Sequence, residues 1–139
     1  MKKGINNCGL CGCVIQNNGG YAEPTVDGRS HRTKHHYVAE RFFGRSNNRR
    51  GEIREGIFSV EELDIKPKFG EYCYDCHEEL LHNPIILKSE MDKLAEIFKI
   101  IGANEDVKTE RKDKLKQRII TLKEVIRKGI DICLSELKP

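Results

Sequence analysis

Cys8-Gly9-Leu10-Cys11 and Cys73-Tyr74-Asp75-Cys76-His77 are the two stretches on which the fold turns. Two Cys-x-x-Cys pairs supply four thiolates, the number a tetrahedral structural zinc requires. Between them lie 61 residues, 12–72, far more than in a zinc ribbon. A clip across so long a loop removes more freedom from the unfolded chain than one across a short loop, and it encloses whatever the loop carries. Gly9 and Gly12 let the backbone turn around a thiolate cluster. Cys13 stands beside the first pair as a competing ligand, and Cys133 stands alone near the far end.

The rest of the composition explains why a staple is needed. With 139 residues there is room for one domain with its own core. Aromatics make up 6% of the chain, Trp is absent and 34% of residues are charged, so the apolar area available for burial is modest and a metal or a partner helix must supplement it. No run approaches the roughly 18 apolar residues of a membrane span. The stretch Met1 to Asn7 is basic without the apolar segment of a secretory signal. These features predict a cytoplasmic protein with no membrane partner, and in a reducing compartment close cysteine pairs bind metal rather than oxidise.

The net charge of +3 is unevenly spread. Residues 1–50 carry nine Lys/Arg against three Asp/Glu, residues 51–89 four against nine, and residues 90–139 twelve against ten. Arg29, Arg32, Lys34, Arg41, Arg45, Arg49 and Arg50 supply most of the basic excess. Such a cluster is the footprint of a phosphate backbone, and Arg32, Lys34, Arg45, Arg49 and Arg50 are the candidate nucleic-acid contacts. A solvated basic face is the plain alternative.

Local signals outline the elements. Arg32 to Val38 reads as a short strand, and Ala39 to Phe43 as a helical turn ended by Gly44. Ser59 followed by Glu61 and Glu62 is a capping signal. A second strand is expected at Glu71 to Tyr74, then a short helix from Asp75 to Leu81 that stops before Pro84. Ser89 is the expected cap of a helix carrying Met91, Leu94, Ala95, Phe98 and Ile101, with Gly102 as its stop. Asn104 is the expected cap of a longer helix to Leu137, whose Leu115, Ile119, Leu122, Ile126, Cys133 and Leu137 form a narrow heptad-like stripe. The stripe reads as core or as the seam of a homodimer or protein partner, with Cys133 packing as a small hydrophobe.

Inside the clipped loop stands His35-His36, and His77 follows the last cysteine. A zinc knuckle, then His-His on a strand, then Cys-x-x-Cys-His opening a helix resembles the HNH nuclease family over roughly residues 8–84. The resemblance implies an α+β fold: a small ββα-metal finger stapled by Cys8, Cys11, Cys73 and Cys76 around zinc, residues 1–88, followed by a helical extension, residues 89–139. It implies a DNA endonuclease. Phosphodiester hydrolysis needs an activated water, charge neutralisation and help for the leaving oxygen. The family pattern puts the base on His36 and the ligands of one divalent metal (Mg²⁺, Mn²⁺, Ni²⁺ or Zn²⁺) on His35 and His77, with Arg41 as the phosphate grip. Adjacent strand residues point to opposite faces, so His35 and His36 can take different jobs. His31 has no such frame and reads as surface.

Two departures bear on this reading. Where the common pattern carries an asparagine before the second cysteine pair, this chain has Lys66-Pro67-Lys68-Phe69-Gly70. His82 follows His77 by five residues, which at about 3.6 residues per turn leaves the rings about 140° apart. That spacing excludes a zinc-protease helix, and it lets His82 join the metal only if the helix unwinds before Pro84. A zinc deaminase is excluded because the only His-x-Glu lies after both cysteine pairs. The alternative to an endonuclease is an inactive zinc-binding module that holds nucleic acid or assembles with a partner.

Overall fold

The computed structural model describes residues 7–15, 32–44, 50–52, 56–59, 62–63 and 65–138. Arg29, His31, Arg45 and Arg49 lie outside these residues. The chain divides into two compact units, Met1–Ile85 and Ile86–Pro139.

In the first unit, strand β1 (Arg32–His36) pairs antiparallel with strand β2 (Phe69–Cys73), and a seven-residue helix (Asp75–Leu81) follows at once. The helix lies against both strands. The architecture is thus a two-stranded sheet with helices, in the order strand, strand, helix. Register pairs Arg32 with Cys73, Thr33 with Tyr72, His35 with Gly70 and His36 with Phe69. Thr33 is 3% exposed, and its hydroxyl donates to the Tyr72 carbonyl at 2.7 Å, which holds the two strands in this register. The strands are shifted from the expected bounds, since β1 stops at His36 and β2 starts at Phe69. Tyr37 N–H still donates to the Lys68 carbonyl, so the hairpin pairing runs one step past the assigned strand ends.

The Cys8–Cys13 segment is a tight knuckle. Cys8 N–H donates to the Cys13 carbonyl at 2.8 Å, Gly12 N–H donates to the Cys8 carbonyl at 2.9 Å, and Gly12 takes a φ of 81° that favours glycine. The short 3-10 turn Glu40–Phe43 is closed by Gly44 in the left-handed region, where the sequence places its stop. Ser59 and Glu62 bond reciprocally: Ser59 N–H to the Glu62 carboxylate at 2.9 Å and Glu62 N–H to the Ser59 hydroxyl at 3.3 Å.

The helix Asp75–Leu81 is a π-helix rather than an α-helix. Its i→i+5 ladder winds more widely than an α-helix and brings residue i+5 nearer the face of residue i. Asn83 closes it by donating its side-chain amide to the carbonyls of Glu78 at 2.8 Å and Glu79 at 3.1 Å, groups a helix end otherwise leaves unmet.

In the second unit, helix α1 spans Lys88–Ile100 and helix α2 spans Arg111–Leu137. The N-cap of α1 is Leu87, two residues before the expected Ser89, because Glu90 reaches back to the Leu87 N–H at 3.0 Å. Helix α2 starts seven residues after the expected cap Asn104. Arg118 explains the delay, since its guanidinium holds the Ala103 carbonyl at 2.9 Å and both oxygens of Asp106. Lys114 adds a bond to the Gly102 carbonyl. The intervening segment is tied back along the first turns of α2 instead of continuing as helix. Along the stripe, Leu115, Ile119 and Leu122 are half-buried, whereas Ile126, Cys133 and Leu137 are exposed. Cys133 therefore does not pack in a core, because the second half of α2 presents its stripe to solvent. Among the described residues no helix is long and apolar enough to cross a membrane.

Candidate metal centres

The sulfurs of Cys8, Cys11, Cys73 and Cys76 all lie within 4.8 Å of one another. Bonds of about 2.3 Å to a tetrahedral zinc separate two sulfurs by about 3.8 Å, and Cys11 Sγ stands 3.8 Å from Cys73 Sγ. Each half of the cluster is shaped locally. The knuckle presents Cys8 and Cys11, and the turn from β2 into the π-helix presents Cys73 and Cys76, with the Cys76 N–H aimed at Cys73 Sγ at 3.4 Å. Three of the four thiols are buried. The donor set, its spacing and its burial fit a zinc ion. Cys13 is beside the cluster and outside the ligand set, half-buried against Cys8, Ile15, Cys73 and Cys76.

The thiol acidities diverge within the cluster, with Cys8 and Cys11 lowered and Cys13, Cys73 and Cys76 raised. Burial raises the Cys8 thiol, but the bonds it receives from Cys11, Cys73 and Leu10 outweigh this and bring it down to about 6. Cys11 is also lowered, first by its bond from the Cys13 backbone. Burial, reinforced by Cys11 and Cys73, pushes Cys13 up to about 12, and burial likewise raises Cys73 and Cys76. Sulfurs packed this closely suppress one another's ionisation, and a bound divalent cation inverts that balance.

A second cluster lies on the same strand–strand–helix element. The ligand atoms of His35, His77 and His82 also fall within 4.8 Å of one another. Their ring centroids are 5.1 Å (His35–His77), 6.2 Å (His35–His82) and 4.6 Å (His77–His82) apart. The π-helix is what admits His82, because a five-residue spacing that diverges on an α-helix converges on an i→i+5 ladder. His35 sits opposite Gly70, and the rings of Tyr37 and Tyr72 stand edge-on to it at 5.7 and 6.1 Å. The two tyrosine hydroxyls bond at 2.6 Å, and this bond holds the Tyr72 phenol protonated, up to about 12.

His77 is 7% exposed, and its Nδ1 is buried without a hydrogen-bond partner; the nearest carboxylate oxygen, Glu78 Oε1, stands 3.6 Å away. Burial holds the His35 and His77 rings below the ordinary histidine value, and neighbouring histidines push the same way, with Glu78 opposing at His77. Neutral rings are what a metal needs from histidine. The three imidazoles of His35, His77 and His82 lie close enough together to hold a divalent ion.

His36 is apart from this cluster. It faces a cavity of about 240 Å³ lined by Val38, Glu40, Phe43, Ile65, Lys68 and Phe69. Its Nε2 lies 3.4 Å from Glu40 Oε1, and its ring is 5.9 Å from that of Phe69. Of the basic candidates, Lys34 shares this face, with its ammonium 4.2 Å above the Phe69 ring. Arg32 is engaged by Glu71 at 3.1 Å. Arg41 is exposed on the 3-10 turn, beside the ring of Phe42 at 5.9 Å, and Arg50 is exposed. Sequence reasoning did not single out Glu40, Tyr37, Lys68, Tyr72 or Glu78. Glu40, Tyr37, Tyr72 and Glu78 are near His36 or His77 in sequence, whereas Lys68 reaches His36 only through the strand pairing.

Comparison of the chain with family models, curated proteins and solved structures gives no match.

Proposed function

We propose that the chain is a metal-dependent endonuclease of the HNH type that hydrolyses phosphodiester bonds of DNA. The observation that carries this reading is the convergence of His35, His77 and His82 on one strand–strand–helix element, beside a four-cysteine cluster that fits zinc. The resemblance of the motifs to the HNH family adds the reaction and the preference for DNA over RNA.

In this reading His35, His77 and His82 hold one divalent ion (Mg²⁺, Mn²⁺, Ni²⁺ or Zn²⁺), which supplies Lewis-acid neutralisation at the scissile phosphate and its leaving oxygen. His36 takes the proton from the attacking water. It does so from the opposite face of β1, where it lines a cavity with Glu40, Lys68 and Phe69. Glu40, beside Nε2 of His36, favours a proton on that nitrogen and leaves Nδ1 as the acceptor. Lys34, Lys68 and Arg41 offer positive charge for the phosphates on either side, with Arg45, Arg49 and Arg50 as further contacts. The cysteine-bound zinc fixes the knuckle against β2 and the π-helix, so that ligand positions on separate elements are held in place.

The test is plasmid cleavage by the full chain with EDTA, Mg²⁺, Mn²⁺ or Ni²⁺, alongside His36→Ala and His35→Ala. Metal-dependent nicking or linearisation that both variants lose is the expected result. Salt-sensitive DNA binding with no cleavage under any metal would replace the nuclease with a zinc-stapled nucleic-acid-binding module. The exposed apolar stripe of α2, from Ile126 to Leu137, favours a further role for this segment in assembly, as a homodimer seam or a partner-binding helix.

A further inference from the structure

Glu78 is positioned between the two helical histidines of the three-histidine cluster. One carboxylate oxygen, Oε1, stands 3.6 Å from Nδ1 of His77, and the other, Oε2, stands 3.3 Å from Nδ1 of His82. The side chain is about a quarter exposed (24%), so water competes for it only in part. Residues 77, 78 and 82 belong to the same π-helical turn and its cap, and Asn83 fastens that turn through the backbone carbonyl of Glu78 itself. The position of the carboxylate is thereby set by the same short segment that sets the two rings.

A neutral imidazole carries one proton, and the nitrogen that keeps it is the one with an acceptor to meet. With a carboxylate against Nδ1, the proton stays on Nδ1 and the lone pair of Nε2 is free for an ion. His77 makes the case most sharply, because its Nδ1 is buried without a hydrogen-bond partner and Glu78 Oε1 stands 3.6 Å from it. A rotation that shortens 3.6 Å by a few tenths of an ångström completes the bond. We infer that Glu78 is the positioning residue of the histidine centre: it orients His77 and His82 through their Nδ1 atoms so that both present Nε2 to one divalent cation.

Two consequences follow from charge and coordination. Three neutral imidazoles leave the ion's charge uncompensated, and a carboxylate one ring further out offsets part of it and raises the basicity of the rings it faces. Because Glu78 acts from behind the rings, it occupies no position on the ion, and three protein ligands leave room for phosphate oxygen and water. Glu78 has this role only if the three histidines hold an ion, as proposed above.

The experiment uses the full chain with its cysteine site filled with Zn²⁺, titrated with Co²⁺ and followed by the visible absorption of the bound ion. Wild type is expected to take up one Co²⁺ that His35→Ala does not. Glu78→Gln is expected to bind it about 10- to 100-fold more weakly, because an amide has one acceptor oxygen for two Nδ1–H groups. Zinc retention at the cysteines and an unchanged melt show that the variant is folded. The second readout is the side-chain ¹⁵N–¹H correlation spectrum of the protein with Zn²⁺ at both sites, which is expected to show Nε2 of His77 and His82 on the ion and protons on Nδ1.

Glu78→Gln binding within twofold of wild type, or an ion on Nδ1 of either ring, overturns the role of Glu78 while leaving the centre in place. Failure of the wild type to take up Co²⁺ overturns the centre itself and Glu78's role with it.

Discussion

Removing the zinc proposed at the four cysteines is expected to unfold the first unit and spare the helices of the second. Among the described residues of Met1–Ile85, the buried apolar side chains are Cys8, Ile15, Phe58, Cys73 and Cys76. Three of these five are the proposed ligands, which leaves Ile15 and Phe58 as ordinary core. Burying each is worth about 1.5–3 kcal/mol, so together they supply about 3–6 kcal/mol. Clipping a loop of about 60 residues is worth about 4 kcal/mol in lost unfolded-state freedom, before any metal–thiolate bonding is counted. Ordering the backbone costs about 1–2 kcal/mol per residue, so two apolar side chains cannot hold a two-stranded hairpin by themselves. The perturbations are Cys76→Ser and, separately, a chelator applied to the wild type. The assay is amide hydrogen exchange read by mass spectrometry, segment by segment. Residues 32–36 and 69–81 should lose protection, while α1 and α2 keep theirs. Unchanged protection of the hairpin after verified loss of the metal would refute the reasoning, and would mean that packing not seen in the buried set holds the unit.

Other perturbations test the local structure. Thr33→Val keeps the shape of a buried side chain but deletes its bond to the Tyr72 carbonyl, and a loss of about 1 kcal/mol in chemical denaturation is expected; no loss would mean that the bond does not pin the register. Asn83→Ala leaves the Glu78 and Glu79 carbonyls without their side-chain donor, with an expected cost of about 1 kcal/mol and faster exchange in residues 77–82. Asp106 is held below the ordinary aspartate range, first by its bond from Arg118 and then by nearby positive charge. A depressed carboxyl contributes stability that is complete above the ordinary aspartate value and is lost as pH falls through the depressed one. Arg118→Ala should return the Asp106 titration, followed by carboxyl NMR shifts, to the ordinary range, and an unmoved titration would reject the pair.

The ligand set and the element order were legible because both rest on local chemistry. Cys-x-x-Cys forces two sulfurs to one side of a turn whatever surrounds it, and Gly44 stops a helical turn because a left-handed residue cannot continue it. Alternation along a strand separated His35 from His36 before any contact was known. The start of α2 was misplaced because Asn104 is a competent cap in isolation, while Arg118, twelve residues beyond Asp106, pulls the segment back by bonds that no window around Asn104 contains. Its place on an apolar stripe leads one to expect Cys133 to pack as a small hydrophobe, in a core or a seam, but periodicity says which face is apolar and not whether anything covers it.

His82 marks the boundary most clearly. The residues His77 and His82 and their five-residue spacing were plain in the sequence, yet whether that spacing converges depends on helix pitch, and α geometry was the reasonable expectation. The folded chain adopts an i→i+5 ladder from Asp75 to Leu81, in a segment anchored by Cys76 at the cysteine cluster and fastened by Asn83 at its end. The sequence by itself determined which side chains could serve as ligands, because that follows from residue chemistry and short covalent spacing. Only the tertiary structure decided which of them meet, and that Glu78 stands between two of them, because helix pitch, strand register and side-chain direction are chosen by packing across residues far apart in the chain.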